Sequence, residues 1–163
     1  MSQTARILLW AFTILMGFDL GAGVYEARVN VAGWSRAITS RTPDGEAYMR
    51  FAPSAGQRWW MGLTPLLALV TIAALIAALR TTGPARPWMV WSTALQLAVV
   101  IWTFAWFVPN IMNLMAHYRE LPAELVASRT TAWVSLNWVR AALTVTAWLG
   151  ALKAMTLSGV GRS

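Results

Sequence analysis

Apolar residues in this chain gather into four long blocks separated by polar stretches. The first block runs from Ile7 to about Asn30, the second from about Trp59 to Leu79, the third from Trp88 to about Met115 and the fourth from about Thr131 to Met155. Crossing a hydrocarbon core takes about 20 apolar residues, so each block is long enough to span a membrane. Backbone groups find no water in lipid, and each block must therefore satisfy its own amides as a helix. The pattern predicts an all-α protein: residues 1–163 form a single membrane domain, a four-helix transmembrane bundle with a polar loop between helices 1 and 2. The first block is retained as a helix rather than a cleaved leader, because no small-x-small cleavage site stands out around Gly21, Ala22 and Gly23.

The longest polar stretch, Val31 to Arg58, has a turn signal at Pro43-Asp44-Gly45. Glu46 to Ala52, with Tyr48, Met49 and Phe51, reads equally as a short helix on the membrane surface or as an ordinary loop. Four spans put both termini on one side together with Arg80 to Pro87. That side carries Arg6, Arg80, Arg86, Lys153 and Arg162 and no acidic residue. The opposite side carries Arg36, Arg41, Arg50, Arg58, Arg119 and Arg129 alongside Asp44, Glu46, Glu120 and Glu124. A Lys/Arg count does not fix orientation by itself; the all-basic terminal side favours termini in the cytoplasm.

Composition agrees with a membrane protein. The chain is 58% hydrophobic and only 12% charged, against about 25% charged residues in an average soluble domain. A net charge of +7 is then read as contact with anionic lipid head groups, not nucleic acid. With no cysteine and one histidine, thiolate chemistry, iron–sulfur clusters and sulfur-based zinc sites drop out, and no cofactor is expected.

The polar residues inside the spans carry the functional argument. An ionised side chain deep in the bilayer costs at least about 2.5–3.5 kcal/mol, so such residues turn towards the bundle and find partners. Asp19 lies 13 residues after Arg6 and Arg140 lies 13 residues before Lys153, which puts both about 20 Å from the terminal-side surface. An Asp19–Arg140 ion pair joining helices 1 and 4 follows, either as a packing device or as part of a site. Asp19, Gly23, Glu26 and Asn30 recur at helical intervals, as do Asn110, Asn113 and His117, and Trp133, Asn137, Arg140 and Thr144. These stripes suggest a cavity opening away from the termini, rimmed by Tyr25, Trp34, Trp133 and Trp138, with Pro109 loosening the third helix so that Asn110 and Asn113 turn inwards.

Blander readings stand beside these. The asparagines serve equally as interhelical hydrogen bonds, His117 as a head-group residue, and Gly17, Gly21, Ala22 and Gly23 as a close-packing surface. Trp10, Trp59, Trp60, Trp88 and Trp91 fit an interfacial belt, whereas Trp102, Trp106, Trp133, Trp138 and Trp148 are less easily assigned.

A family resemblance adds a chemical expectation. The segments are Gly21-Ala22-Gly23-Val24-Tyr25-Glu26, the loop residue Trp34, Phe51-Ala52-Pro53, Phe107-Val108-Pro109-Asn110-Ile111, and Trp133 through Asn137-Trp138-Val139-Arg140. Together they resemble the small four-helix membrane proteins of the anthrone-oxygenase-like family, whose bacterial members were long catalogued as a domain of unknown function. The resemblance implies a bacterial inner-membrane protein and oxygenation of a flat phenolic or polyketide-like substrate without metal or flavin. It implies Glu26 or His117 as base, Arg140 and Asn137 as the oxyanion contacts, and tryptophans stacked on the rings; the polar stripes and the cavity rim add Tyr25, Asn110, Asn113, Trp133 and Trp138 as substrate-lining residues. The family pattern has a histidine where this chain has Trp138, so a base at that position is missing.

The residues also permit a non-catalytic reading: a module that binds a quinone, a lipid or another flat hydrophobic molecule, or a small subunit of a larger membrane complex or homo-oligomer. A transporter fits less well, since four spans lack paired repeats.

Overall fold

In the computed structural model, residues 1–159 are described, residues 51–57 by backbone alone. Arg162, and the side chains of the Phe51-Ala52-Pro53 segment, therefore lie outside the described residues. Helix α1 covers Gln3–Tyr25, passes through a π-helical segment at Glu26–Asn30 and continues as α2, Val31–Ser40. Helix α3 spans Pro43–Leu79 and α4 spans Arg86–Trp102. A second π-helical segment, Thr103–Phe107, leads into α5, Val108–His117, and α6 spans Ala123–Gly159.

Four of these rods contain stretches long and apolar enough to cross a membrane, within Gln3–Ser40, Arg58–Leu79, Arg86–His117 and Ala123–Gly159. The chain is an integral membrane protein with an all-α bundle. Its rods are also longer than a bilayer requires. At about 1.5 Å per residue the 38-residue Gln3–Ser40 rod is about 57 Å long, against a hydrocarbon core of about 30 Å. The excess projects on the side away from the termini as a helical head.

That head replaces most of the polar loop expected between helices 1 and 2. Only Arg41 and Thr42 interrupt the helices there. Arg41 adopts a left-handed conformation (φ 51°, ψ 34°) that ends α2, and the Thr42 side chain accepts from the Gly45 amide at 3.2 Å to start α3. Pro43, read from sequence as part of a turn, occupies the first turn of α3, where its missing amide has no cost. Gly45 is needed where the hairpin closes: a Cβ there would stand 2.9 Å from the Ala37 carbonyl oxygen.

Two apolar cores result. The terminal-side core contains Leu9, Phe12, Met16, Leu67, Met89 and Ala147. Two bonds across helices bind it, from the Ser92 hydroxyl to the Ala147 carbonyl (2.6 Å) and from Trp148 Nε1 to the Thr13 carbonyl (3.1 Å). The head core contains Val31, Trp34, Ile38, Leu114, Tyr118 and Val126. Polar contacts close the head around it. The Arg41 guanidinium donates to the carbonyls of Tyr118 (2.8 Å) and Leu121, where α5 ends and unpaired carbonyls favour a cation. Glu46 on α3 pairs with Arg119 and accepts from the Tyr118 hydroxyl at 3.3 Å.

The Arg119 hydrogen bond holds the Glu46 carboxyl below the ordinary glutamate range. A depressed carboxyl pKa stabilises the fold above the unfolded value, about 4.3, and that contribution fades as pH falls through the folded value. Acidification from about pH 5 to pH 3 is expected to lower the protection of amides around Tyr118 and Arg119 relative to their intrinsic exchange rates, and Glu46→Gln is expected to flatten that dependence. An unchanged pH profile in the variant would assign the effect to other groups.

Candidate functional site

Between the two cores lies a polar layer built where the π-helical segments meet α6. A π segment places one extra residue in a turn, widening the helix and leaving backbone groups to find other partners. In the third rod the cause is local: Pro109 has no amide to donate and its ring crowds the preceding turn. Side chains add bonds to the same turn: Asn110 Nδ2 donates to the Trp106 carbonyl at 2.7 Å and Trp133 Nε1 to the Phe107 carbonyl at 3.3 Å. The widened turn brings Thr103 and Phe107 inwards, both of them buried.

Arg140 is the centre of the layer. Its Nε and Nη2 donate to Asn137 Oδ1 at 3.1 and 2.8 Å, and Nη1 reaches Thr103 Oγ1 at 3.5 Å. The guanidinium carbon stands 5.2 Å from the centre of the Phe107 ring. Asn137 is buried and is thereby committed to the arginine. Phe107 extends into an aromatic cluster, edge-on to Trp102, Trp106 and Trp133 at 5.1, 4.8 and 5.8 Å, and Trp133 packs edge-on against Trp34 of the head at 5.6 Å.

Asp19 and Glu26 are the acidic residues acting on Arg140, and neither touches it. Among the described residues the only carboxylate–cation contact within 4.0 Å is Glu46–Arg119, so the expected Asp19–Arg140 pair is not a direct ion pair. Asn137 occupies the near side of the guanidinium, and a cavity separates it from Asp19. Glu26, at the start of the first π segment, instead accepts a hydrogen bond from Trp60 Nε1. Asp19 has no hydrogen-bond donor among the described residues.

The cavity lies between α1 and α6, with Asp19, Gly23 and Ala27 on one wall and Asn137, Arg140 and Thr144 on the other. Its free volume is about 20 Å³, enough for one water-sized group, which needs roughly 10–15 Å³ by this measure. Val24 and Trp138 also line it and are 49% and 41% exposed; at their depth in the spans, that exposure is to lipid. The recess admits an oxygen atom or two, and its mouth opens sideways into the bilayer.

No protein-family model, curated protein or solved structure matches the chain.

The site therefore rests on its own geometry, which gathers some of the residues singled out by sequence and separates others. Asp19, Asn137, Trp138 and Arg140 share the cavity, with Glu26 one turn away. Tyr25 is 62% exposed and does not line it. Asn110 is turned back on its own helix, Asn113 Oδ1 accepts from Arg129 at 3.2 Å, and His117 Nδ1 lies 3.0 Å from the Asn113 carbonyl, all three exposed on the head. Depth explains this: Asn110 is 24 residues past Arg86, about 36 Å along the rod and beyond the hydrocarbon. Of the tryptophans read as an interfacial belt, Trp10, Trp59, Trp88 and Trp91 are exposed, while Trp60 turns in to Glu26.

Sequence reasoning missed Thr103, Phe107 and Trp60. Pro109 was the available signal for the first two, through its effect on the turn before it. Among the described residues no three of His, Asp and Glu cluster closely enough to hold a metal ion.

Proposed function

We propose that the bundle binds a lipophilic molecule from the bilayer, seating one of its polar oxygens in the recess between α1 and α6. Arg140 is the contact for that oxygen, and the observation that carries the reading is a guanidinium fixed by Asn137 and Thr103 at the floor of a cleft open to lipid. The recess is too small for a ring, so the body of the ligand lies outside it, against Val24 and Trp138. A quinone or a similar flat molecule with a carbonyl edge fits this division. The placement is that of a bacterial inner-membrane protein with its termini in the cytoplasm, supported by a terminal side bearing Arg6, Arg80, Arg86 and Lys153 without an acidic residue.

The test is native mass spectrometry of the full chain in mild detergent with a short-chain quinone as probe. Arg140→Gln is expected to weaken retention about tenfold, the equivalent of one charge-assisted contact, while leaving helical content unchanged. Retention of the quinone by the variant would remove the site. Purification bound to a larger protein, with no small-molecule retention, would favour an accessory subunit.

A second reading is favoured by one observation: the Asp19 carboxylate faces the cavity without a donor, opposite a fixed cation. That pairing suits cofactor-independent oxygenation of a ring held at the mouth of the recess, where the carboxylate removes a proton from an acidic ring methylene and the cation holds the resulting oxyanion. The carbanion reduces molecular oxygen; the methylene becomes a carbonyl, and the second oxygen atom leaves as water. In this reading Asp19 takes the role of base that sequence resemblance gave to Glu26 or His117. Oxygen uptake with anthrone, present in the wild type and absent in Asp19→Asn, separates catalysis from binding alone.

A further inference from the structure

Arg28 stands at the rim of the cleft with no counter-ion. Among the described residues it has no carboxylate within 4.0 Å and makes no hydrogen bond. Its guanidinium carbon lies instead 5.4 Å from the centre of the Trp138 ring, and Trp138 forms part of the cavity mouth. Helical side chains tilt towards the N-terminus of their own helix. The first rod begins on the terminal side, so Arg28 leans down into the membrane. Helix α6 begins in the head, so Trp138 and Arg140 lean up. Arg28 lies over the Trp138 ring at the rim, and Arg140 lies over the Phe107 ring at the floor. Arg28 lies 22 residues after Arg6, about 33 Å along the rod, which is the depth of the phosphates in the leaflet away from the termini.

A cation near phosphate depth and a donor about 13 Å lower along the spans, a gap that their long side chains narrow by leaning towards each other, match the phosphate and an ester carbonyl of one glycerophospholipid. We infer that the cleft takes an anionic glycerophospholipid of that leaflet, with its phosphate on Arg28, an ester oxygen towards Arg140 and its chains along Val24 and Trp138. This rests on the reading of the cleft as a site for lipophiles and names the class of molecule that it prefers. An aromatic ring is a weaker partner for a guanidinium than a phosphate, which forms charge-assisted hydrogen bonds, so Arg28 leaves Trp138 when the lipid docks.

The experiment is a native mass spectrometry titration of the full chain with phosphatidylglycerol, phosphatidylcholine, glycerol phosphate and a short-chain quinone. The wild type is expected to bind phosphatidylglycerol about tenfold more tightly than phosphatidylcholine. Arg28→Gln should reduce that preference to about twofold or less with quinone retention intact, and Arg28→Lys should restore part of it. A preference unchanged in Arg28→Gln overturns the inference, as does competition by glycerol phosphate as strong as that of the lipid, which would indicate a site for free phosphate. Loss of quinone binding in Arg140→Gln beside an unaffected Arg28→Gln would leave the lipophile site standing and remove the phospholipid. Quinone binding unaltered in Arg140→Gln would remove the underlying site instead.

Discussion

Asn137→Leu is expected to destabilise the bundle by about 3 kcal/mol, far more than an ordinary interhelical hydrogen bond in a membrane protein, which averages about 0.6 kcal/mol. The difference lies in what is left behind. Asn137 Oδ1 accepts from both Nε and Nη2 of Arg140, and its remaining neighbour Thr103 is a weaker partner at 3.5 Å. Leucine fills the space of the amide but leaves the cation without its main acceptor, and a stranded charge costs about 3–5 kcal/mol. The lower end applies because the arginine is half-buried and the adjoining cavity offers some relief. The double variant Asn137→Leu with Arg140→Met removes the charge as well and is expected to recover most of the loss. Unfolding of the four proteins in mixed micelles gives the cycle. A single-variant loss below about 1 kcal/mol, the scale of a neutral hydrogen bond, would mean that Asn137 does not hold the arginine, and the site would lose its floor.

The polar layer was half legible in the sequence. Charged residues in apolar runs are conspicuous, and counting residues from the flanking cations put Asp19 and Arg140 at one depth. The same count, carried along the third rod, would have put Asn110, Asn113 and His117 outside the hydrocarbon. Their spacing is helical and they do share a helix, but spacing says nothing of depth. Direct pairing of Asp19 with Arg140 was the simplest way to satisfy two buried charges, and the fold uses an amide instead. Phe107 is apolar, and Thr103 is a lone hydroxyl in an apolar run, so neither stood out by polarity. They reach Arg140 because Pro109 widens the preceding turn, an effect of backbone sterics that a hydropathy pattern does not register.

The head was obscured for a different reason. Hydropathy finds membrane spans, and by that measure Val31 to Arg58 is a gap between two of them. The gap nevertheless holds Val31, Trp34, Ala37 and Ile38 at helical spacing, all buried in the fold. Arginines and hydroxyl residues between them lower the average until the stretch resembles a loop. An amphipathic helix outside the bilayer has the ordinary pattern of a soluble protein, and next to spans of nearly unbroken apolar sequence that pattern is easily read as polar. The consequence is functional as well as architectural, because the head core reaches the site through Trp34, Trp133 and Phe107.

Trp34→Ala tests that coupling, with an expected loss of about 3–5 kcal/mol for an aromatic removed from a packed core. Trp34 is 5% exposed and touches Trp133 edge-on, a contact worth a further 0.5–1.5 kcal/mol or so. The loss should be local. The head has its own core, while the terminal-side core is made of other residues, and protein segments with separate cores open separately. Trypsin is the direct probe, because α2 carries Arg36 and ends at Arg41. In detergent the variant should be cut at these two arginines much faster than the wild type, with the spans remaining protected. Equal acceleration of cleavage at Arg80, between the second and third spans, would mean that head and bundle unfold as one unit. Slower release of a bound quinone in the wild type than in Trp34→Ala would show that the head holds Phe107 against Arg140. Identical release would confine the head to a structural role, with the recess maintained by the spans alone.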